Sequence, residues 1–397
     1  MTDPLAFPLP RTCPFAPPDD YARLRAREPA TRVVLPTGRP AWIVTRHADV
    51  RALLGSSDVS SDIRHPNFPA MGAGEQEAGA RSRPFIRTDP PEHTKYRRLL
   101  VPELTVRRVR AMRPAVQGIA DAALDAMLAG PPGADLVTAY ANVVSTSTIC
   151  ELIGLPNEHI ALFHEITRVS GGRNSNAAEV GAALGRLFQL LADLITLREK
   201  EPGTDLLSRL VTEHLLPGRV TRQELLSTIG ITVIAGRETT TSMISLATLL
   251  LLTRPDLRAE LTGDPDLMDG AVDELLRVMS VTDTIPLRVA ARDLDVGGTV
   301  IPEGDGFIAL LAAADHDPAA FPDPEKVDFR RDARHHLAFG YGIHVCVGQH
   351  LARLELAVAL ETLLRRVPTL RPAVPADEVP MNNASATFGL DSLPVTW

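Results

Sequence analysis

Residues 338–348 read Ala338-Phe339-Gly340-Tyr341-Gly342-Ile343-His344-Val345-Cys346-Val347-Gly348, and the run Gln349-His350-Leu351-Ala352-Arg353-Leu354-Glu355-Leu356-Ala357-Val358-Ala359-Leu360 follows directly. One cysteine therefore stands in a glycine-rich loop at the start of a strong helix. Unpaired amide donors and the helix dipole stabilise an anion at such a place, so a lowered thiol pKa and a thiolate are expected. Gly340, Gly342 and Gly348 permit turns that side chains would block and let the loop lie flat against a large planar ring. Amides of the loop can then point at the sulfur. A thiolate held this way is a competent axial ligand for haem iron, to which it donates the electron density that promotes O–O cleavage. His344, two residues earlier, can reach a haem carboxylate. The plainer reading is a buried structural cysteine, and the motifs upstream weigh against it.

The longest helical pattern of the chain, 222–254, is apolar on nearly all sides and is expected to be central. In its middle stands Ala235-Gly236-Arg237-Glu238-Thr239-Thr240. Ala235 and Gly236 leave room on one face, and a glycine there weakens the helix by about 1 kcal/mol relative to alanine. Thr239 can bond back to a carbonyl and bend the helix. Glu238 and Thr239 then offer a carboxylate–hydroxyl relay for protons. Further along, Glu274 and Arg277 place opposite charges at i and i+3 among Leu275, Leu276, Val278 and Met279. Upstream, His93 and Arg97 lie one helical turn apart, so both could bind a carboxylate from the same side.

Taken together, and in this order, these motifs resemble those of the cytochrome P450 superfamily, in particular its soluble bacterial members from actinobacterial secondary metabolism or xenobiotic oxidation. The loop matches the pattern F-G-x-G-x-H-x-C-x-G, and the long helix matches [AG]-G-x-[DE]-T-[TS]. Asp89-Pro90-Pro91-Glu92-His93 is similar to the segment leading into the helix that carries His93. The resemblance spans about residues 15 to 397. It implies one mostly helical P450 domain over 1–397, with haem b between the long helix and the Cys-loop helix. It also implies a helical core over about 92–280 and 347–366, with β-rich parts near 30–46 and 287–308 and in C-terminal strands. Cys346 would be the axial ligand of the iron. His93, Arg97, Arg288 and His344 would hold the haem carboxylates, with Phe339, Gly340, Gly348, Ala235 and Gly236 against the ring. Glu238 and Thr239 would deliver protons, and Arg331 would join Glu274 and Arg277 in a structural lock. Two departures stand out. Val347 replaces the commoner leucine after the cysteine, and Arg237 is a bulky charge at a position for which the pattern supplies no role.

Composition narrows the rest. The net charge of −8 argues against nucleic-acid binding. Three cysteines, Cys13, Cys150 and Cys346, are too few for a disulfide framework. No window approaches ~18 uninterrupted apolar residues, so a cytoplasmic protein without a membrane span is expected, as a monomer. No flavin or nicotinamide motif is visible. Electrons are expected from NAD(P)H through a separate reductase and ferredoxin. Seven basic residues between Lys95 and Arg113, interrupted only by the acid Glu103, offer a docking face for an acidic ferredoxin; a solvated helix face is the plainer reading.

The resemblance places the substrate pocket among Phe85, Ile86, Asn174, Ile234, Ala235, Thr282, Asp283, Ile285 and Phe388. Few of these are large aromatics, which suits an oxygenated aliphatic molecule. The first expectation is hydroxylation or epoxidation of a macrolide or polyketide in antibiotic biosynthesis, with Asp283 able to pair with an amino-sugar cation or to cap a turn. A terpenoid, a vitamin-D-like sterol or a xenobiotic is the alternative. A P450-type nitric oxide reductase is disfavoured by Glu238, and a non-catalytic P450-like module by Cys346. Along the chain, a β-hairpin is expected around 32–45, a helix at 47–54, a long mobile loop over 60–87, and helical periodicity through 92–130.

Overall fold

The computed structural model describes residues 5–72, 75–131, 133–170, 177–383 and 386–397. Its longest element is the helix Arg222–Thr253, 32 residues and so about 48 Å long. A capping box starts it: the Thr221 hydroxyl accepts from the Glu224 amide at 3.2 Å, and the Glu224 carboxylate accepts from the Thr221 amide at 2.8 Å. Beyond Thr240 this helix is buried almost without interruption to Leu251, which explains why its sequence lacks a polar face. It packs against Asn142–Ile153, Ala177–Lys200 and the Cys-loop helix Gln349–Arg366. The principal hydrophobic core lies where the long helix and the Cys-loop helix meet Met268–Met279 and Arg113–Leu128, and Ala177–Lys200 packs into a second cluster with Asn142–Ile153.

The expected hairpin forms from Ala30–Val34 and Pro40–Val44, with Val33 opposite Ala41 and a left-handed Gly38 (φ 76°) at its turn. It joins a six-stranded sheet in the order Leu5–Ala6, Ala30–Val34, Pro40–Val44, Gly306–Ala309, Leu287–Ala290, Val59–Ser60. Arg288 lies opposite Phe307 in this sheet, which fixes the direction of its side chain. The chain is thus a helix-rich single domain with a smaller sheet part, as expected.

Two stretches differ from expectation. The segment 60–87 is not one loop: it carries a helix, Glu75–Ser82, and a tight turn, Phe85–Arg87. The helix is short, with few apolar residues and no strong periodicity to announce it. The helical stretch 92–130 is three helices, Glu92–Leu100, Val106–Ala111 and Arg113–Leu128. Pro102 and Pro114 lack the amide hydrogen a continuous helix needs; Pro114 falls in the first turn of the third helix, where it is tolerated.

Beneath the site, Glu274 and Arg277 are fully buried. The guanidinium donates to both carboxylate oxygens, at 2.8 and 2.9 Å, and to the Asp315 carbonyl at 2.8 Å. Arg331 reaches Glu274 at 3.2 Å. The three expected residues therefore meet. They tie Met268–Met279 to the irregular chain that feeds the cysteine loop, because the Asp315 carboxylate accepts from the Leu337 amide at 2.6 Å.

Candidate active site

The cysteine loop is a set of tight turns. The Gly340 amide donates to Leu337 O at 2.6 Å, Val345 to Gly342 O at 3.1 Å, and Cys346 to Phe339 O at 2.9 Å. Gly340 and Gly342 both have left-handed φ, 70° and 72°. The loop presents Cys346 at one wall of a large cavity, whose opposite side is the middle of the long helix. Counted with its mouth open to solvent, the cavity is about 1650 Å3. Its walls are mainly apolar, with the polar groups gathered at the cysteine loop, the long helix and one cationic edge.

Cys346 is accessible because it opens into this cavity, yet the surrounding protein withdraws it from bulk water. Burial pushes its thiol pKa up, against the Gly348 amide and the charges of Arg97 and Arg353, which act to lower it. The lowering expected from the helix terminus is thus opposed by desolvation of the thiol. A bound metal ion would supply what is needed, since a coordinating thiol is deprotonated outright.

Along one edge of the cavity four nitrogen-rich side chains converge. The rings of His93 and His344 lie 4.1 Å apart, centroid to centroid, and Arg97 and Arg288 line the cavity beside them. Among the described residues, both ring nitrogens of both histidines are buried without a hydrogen-bond partner. Burial and the neighbouring cations hold His93 at about 4 and His344 at about 2. Burial and the charge of Arg87 push Arg288 down to about 9. Asp89 acts on His93 and Arg288 but is committed to the Ser60 hydroxyl and the Ser61 amide, and buried donors crowded in this way are unfavourable unless a further carboxylate answers them. The donor set fits a group with two carboxylates and a metal facing Cys346, which haem is.

On the long helix, Ala235, Gly236, Thr239 and Thr240 line the cavity. The Thr239 hydroxyl donates to Ala235 O at 2.9 Å. A Cβ on Gly236 would come within 2.5 Å of Ile149 Cδ1, so the glycine also serves close helix packing. Glu238 is half-buried and is not part of the lining; it lies beside the charge of Arg237. Arg237, for which the sequence offered no role, donates to Asn142 Oδ1 at 3.2 Å and so couples the long helix to Asn142–Ile153.

Of the expected substrate contacts, Phe85, Ile86, Ala235, Thr282 and Ile285 line the cavity together with Phe339, Gly340 and Gly348 from the cysteine loop. Three others do not. Ile234 is 39% exposed and turned away from it. The Phe388 ring lies under the Arg11 guanidinium at 4.3 Å. Asp283 is buried behind the wall, where its carboxylate accepts from the Tyr21 hydroxyl at 2.7 Å and the Ala312 amide at 3.0 Å. Burial raises its pKa against the opposing charge of Arg11, and with both oxygens engaged inside the protein it does not face a ligand in the cavity. Asn174 falls outside the described residues. Residues that the sequence did not reveal include Ile149 and Leu152, since nothing in an amphipathic helix says which buried face borders a void. Arg87 was also missed; it follows the apolar run Pro84-Phe85-Ile86, which Arg83 precedes, and nothing in the sequence separates the two arginines.

The basic stretch is partly spent on structure. Lys95 pairs with Glu224 at 2.6 Å, Arg113 with Glu361 at 2.6 Å and Arg108 with Glu103 at 3.4 Å. Arg98, Arg107 and Arg110 are exposed, and among the described residues no ion pair is seen for them.

A family model described as cytochrome P450 matches residues 175–387. The chain is 44% identical to pentalenic acid synthase of Streptomyces avermitilis, over 100% of this chain and 98% of that protein. A crystal structure from Streptomyces coelicolor, of a cytochrome P450 oxidase in the coelibactin siderophore biosynthetic pathway, is 64% identical with a TM-score of 0.92, covering 99% of this chain and 100% of that one. The structure of mycinamicin VIII C21 methyl hydroxylase from Micromonospora griseorubida, bound to mycinamicin VIII, is 40% identical with a TM-score of 0.92, over 99% and 100% of the two chains.

Proposed function

The chain belongs to the cytochrome P450 family and is a P450 monooxygenase, and from that premise we propose that it hydroxylates or epoxidises a medium-to-large, oxygenated aliphatic molecule of the polyketide or macrolide class. The observation that carries this reading is the cavity itself, which joins Cys346 to Thr239 and is walled mainly by aliphatic side chains. The mycinamicin VIII complex of a relative 40% identical supports the substrate class. Haem, when bound, supplies the activation of O2 and the oxidation of carbon.

The residues of this chain divide the remaining work. Cys346 Sγ would ligate the haem iron. Arg97 and Arg288 would hold the two haem carboxylates as cations, with His93 and His344 as hydrogen-bonding partners. Thr239 keeps its hydroxyl at the groove by donating to Ala235 O, from where it can pass a proton on; Glu238, on the same helix, is its source. Phe85, Ile86, Ile149 and Ile285 orient the substrate and exclude water. Electrons come from NAD(P)H through a separate ferredoxin and reductase, with the exposed Arg98, Arg107 and Arg110 as the docking charges. No helix among the described residues is long and apolar enough to cross a membrane.

The test is a titration of the haem Soret band with macrolides, macrolactones, terpenoids and steroids, followed by turnover with a ferredoxin and reductase. A spin-state shift and oxygenated product with the macrolide class is expected. A shift confined to terpenoids or steroids would replace that substrate class with the isoprenoid one. No Soret band after haem reconstitution would sink the assignment.

A further inference from the structure

One cation of the cavity is not accounted for by haem. Arg87 is a third arginine on the cavity wall, beside the Arg97 and Arg288 assigned above to the haem carboxylates. It ends the turn Phe85–Arg87, which Thr88 closes by donating its hydroxyl to Phe85 O at 2.9 Å. The side chain is only 13% exposed. Its guanidinium carries five N–H donors, and among the described residues one hydrogen bond from it is seen, to the Ile285 carbonyl at 3.1 Å. Its carboxylate neighbour, Glu75, stands off at 3.9 Å. The other Glu75 oxygen is committed to the amides of Met71 and Gly72, at 2.9 and 3.2 Å. The guanidinium lies over the Phe68 ring at 5.3 Å and its charge acts on Arg288 and His344, so its surroundings are apolar or cationic apart from Glu75. A mostly buried guanidinium in such surroundings, with donors to spare, is unfavourable until an anion meets it. Its planar fork suits a carboxylate engaged by two parallel bonds.

We propose that Arg87 forms an anion subsite in the substrate chamber, so that the substrate is an acid whose carboxylate docks on Arg87 while an aliphatic carbon is presented to the oxidising centre. This rests on the P450 monooxygenase reading and narrows its substrate class to acidic, largely aliphatic molecules. Glu75 is the group such a substrate displaces or shares, and the Ile285 carbonyl fixes the guanidinium in the plane that receives it.

The experiment uses haem-loaded wild-type protein and the variants Arg87→Gln and Arg87→Lys. The probes are ω-(imidazol-1-yl)alkanoic acids of graded chain length and their methyl esters. The imidazole nitrogen anchors each probe on the iron and reports through the Soret band, whereas the distal carboxyl reports on Arg87. For at least one chain length the wild type should bind the acid roughly 10–100-fold more tightly than the ester, the range expected for a charge-assisted, two-point contact. Arg87→Gln should erase that preference and leave ester binding unchanged, and Arg87→Lys should restore part of it. The subsite is overturned if the wild type shows no acid preference at any length, or if Arg87→Gln keeps it. It is equally overturned if Arg87→Gln lowers haem content or weakens acid and ester alike, because Arg87 would then serve the haem carboxylates. A wild type that gives no Soret response to any imidazole would reject the haem reading itself, which is a different failure.

Discussion

Gly340 and Gly342 form a matched pair for separating two effects in the cysteine loop. Both have left-handed φ, 70° and 72°, so alanine at either position carries the same backbone penalty, about 1–2 kcal/mol. Their surroundings differ. A Cβ at Gly340 meets nothing within 4 Å, whereas one at Gly342 would lie 2.2 Å from the Leu54 carbonyl oxygen. The closest contact real Cβ atoms make is 3.0 Å, so loop or helix must move by at least 3.0 − 2.2 = 0.8 Å. Leu54 belongs to the helix His47–Gly55, and its carbonyl cannot rotate out of the way as a side chain could. Overpacking against a rigid element adds about 1–3 kcal/mol, for about 2–5 kcal/mol in all at Gly342 against about 1–2 at Gly340. The displacement also acts four residues from Cys346, where a sub-ångström shift decides whether the sulfur reaches the metal. The assay is thermal unfolding of each haem-loaded variant together with the fraction of reduced, CO-bound protein that retains the thiolate-ligated Soret band. Gly340→Ala should keep that band with a modest loss of stability. Gly342→Ala should lose most of the band. Equal behaviour of the two variants would refute the steric argument and leave only the backbone conformation.

Arg277→Ala should destabilise by about 3–5 kcal/mol, because it strands the fully buried Glu274 carboxylate with Arg331 as its remaining cation; chemical denaturation measures this, and a loss below about 1 kcal/mol would contradict it. Glu224 carries a pH signature. Burial would raise its pKa, but hydrogen bonds from Lys95, the Thr221 amide and Tyr96, with the Lys95 charge, hold it at about 2 against an ordinary 4.5. A folded value below the unfolded one stabilises above pH 4.5, and that contribution is lost as pH falls towards 2. Glu224→Gln, which keeps the capping hydrogen bond, should therefore cost about 1 kcal/mol or less at neutral pH, with the two stability curves converging in acid. Charge reversal at Arg98 or Arg107 should lower turnover supported by ferredoxin, steeply so at low ionic strength, and leave peroxide-supported turnover intact. An equal fall in both would exclude docking as the cause.

Much of this enzyme is legible in one dimension, because its chemistry is built from local segments. The cysteine loop places its turns and its ligand within eleven residues. The long helix shows its central position by having no polar face, and the hairpin follows from alternation around Gly38. The Glu274–Arg277 pair sits on one helical turn. Four motifs in the right order were enough to identify the family. What only the folded chain decided are the places where residues far apart share an electrostatic environment. The thiol of Cys346 looked activated by its helix terminus, until the surrounding walls set desolvation against that effect. Asp283 looked available to a ligand, until Tyr21 and Arg11, more than 250 residues away, enclosed it. Arg87 looked like one more arginine, until packing set it on the cavity wall beside Ile285 with its nearest carboxylate at 3.9 Å. Sequence periodicity reports which residues leave water. It does not report what they meet there, and burial without a known partner is the quantity on which charge, protonation and substrate choice depend.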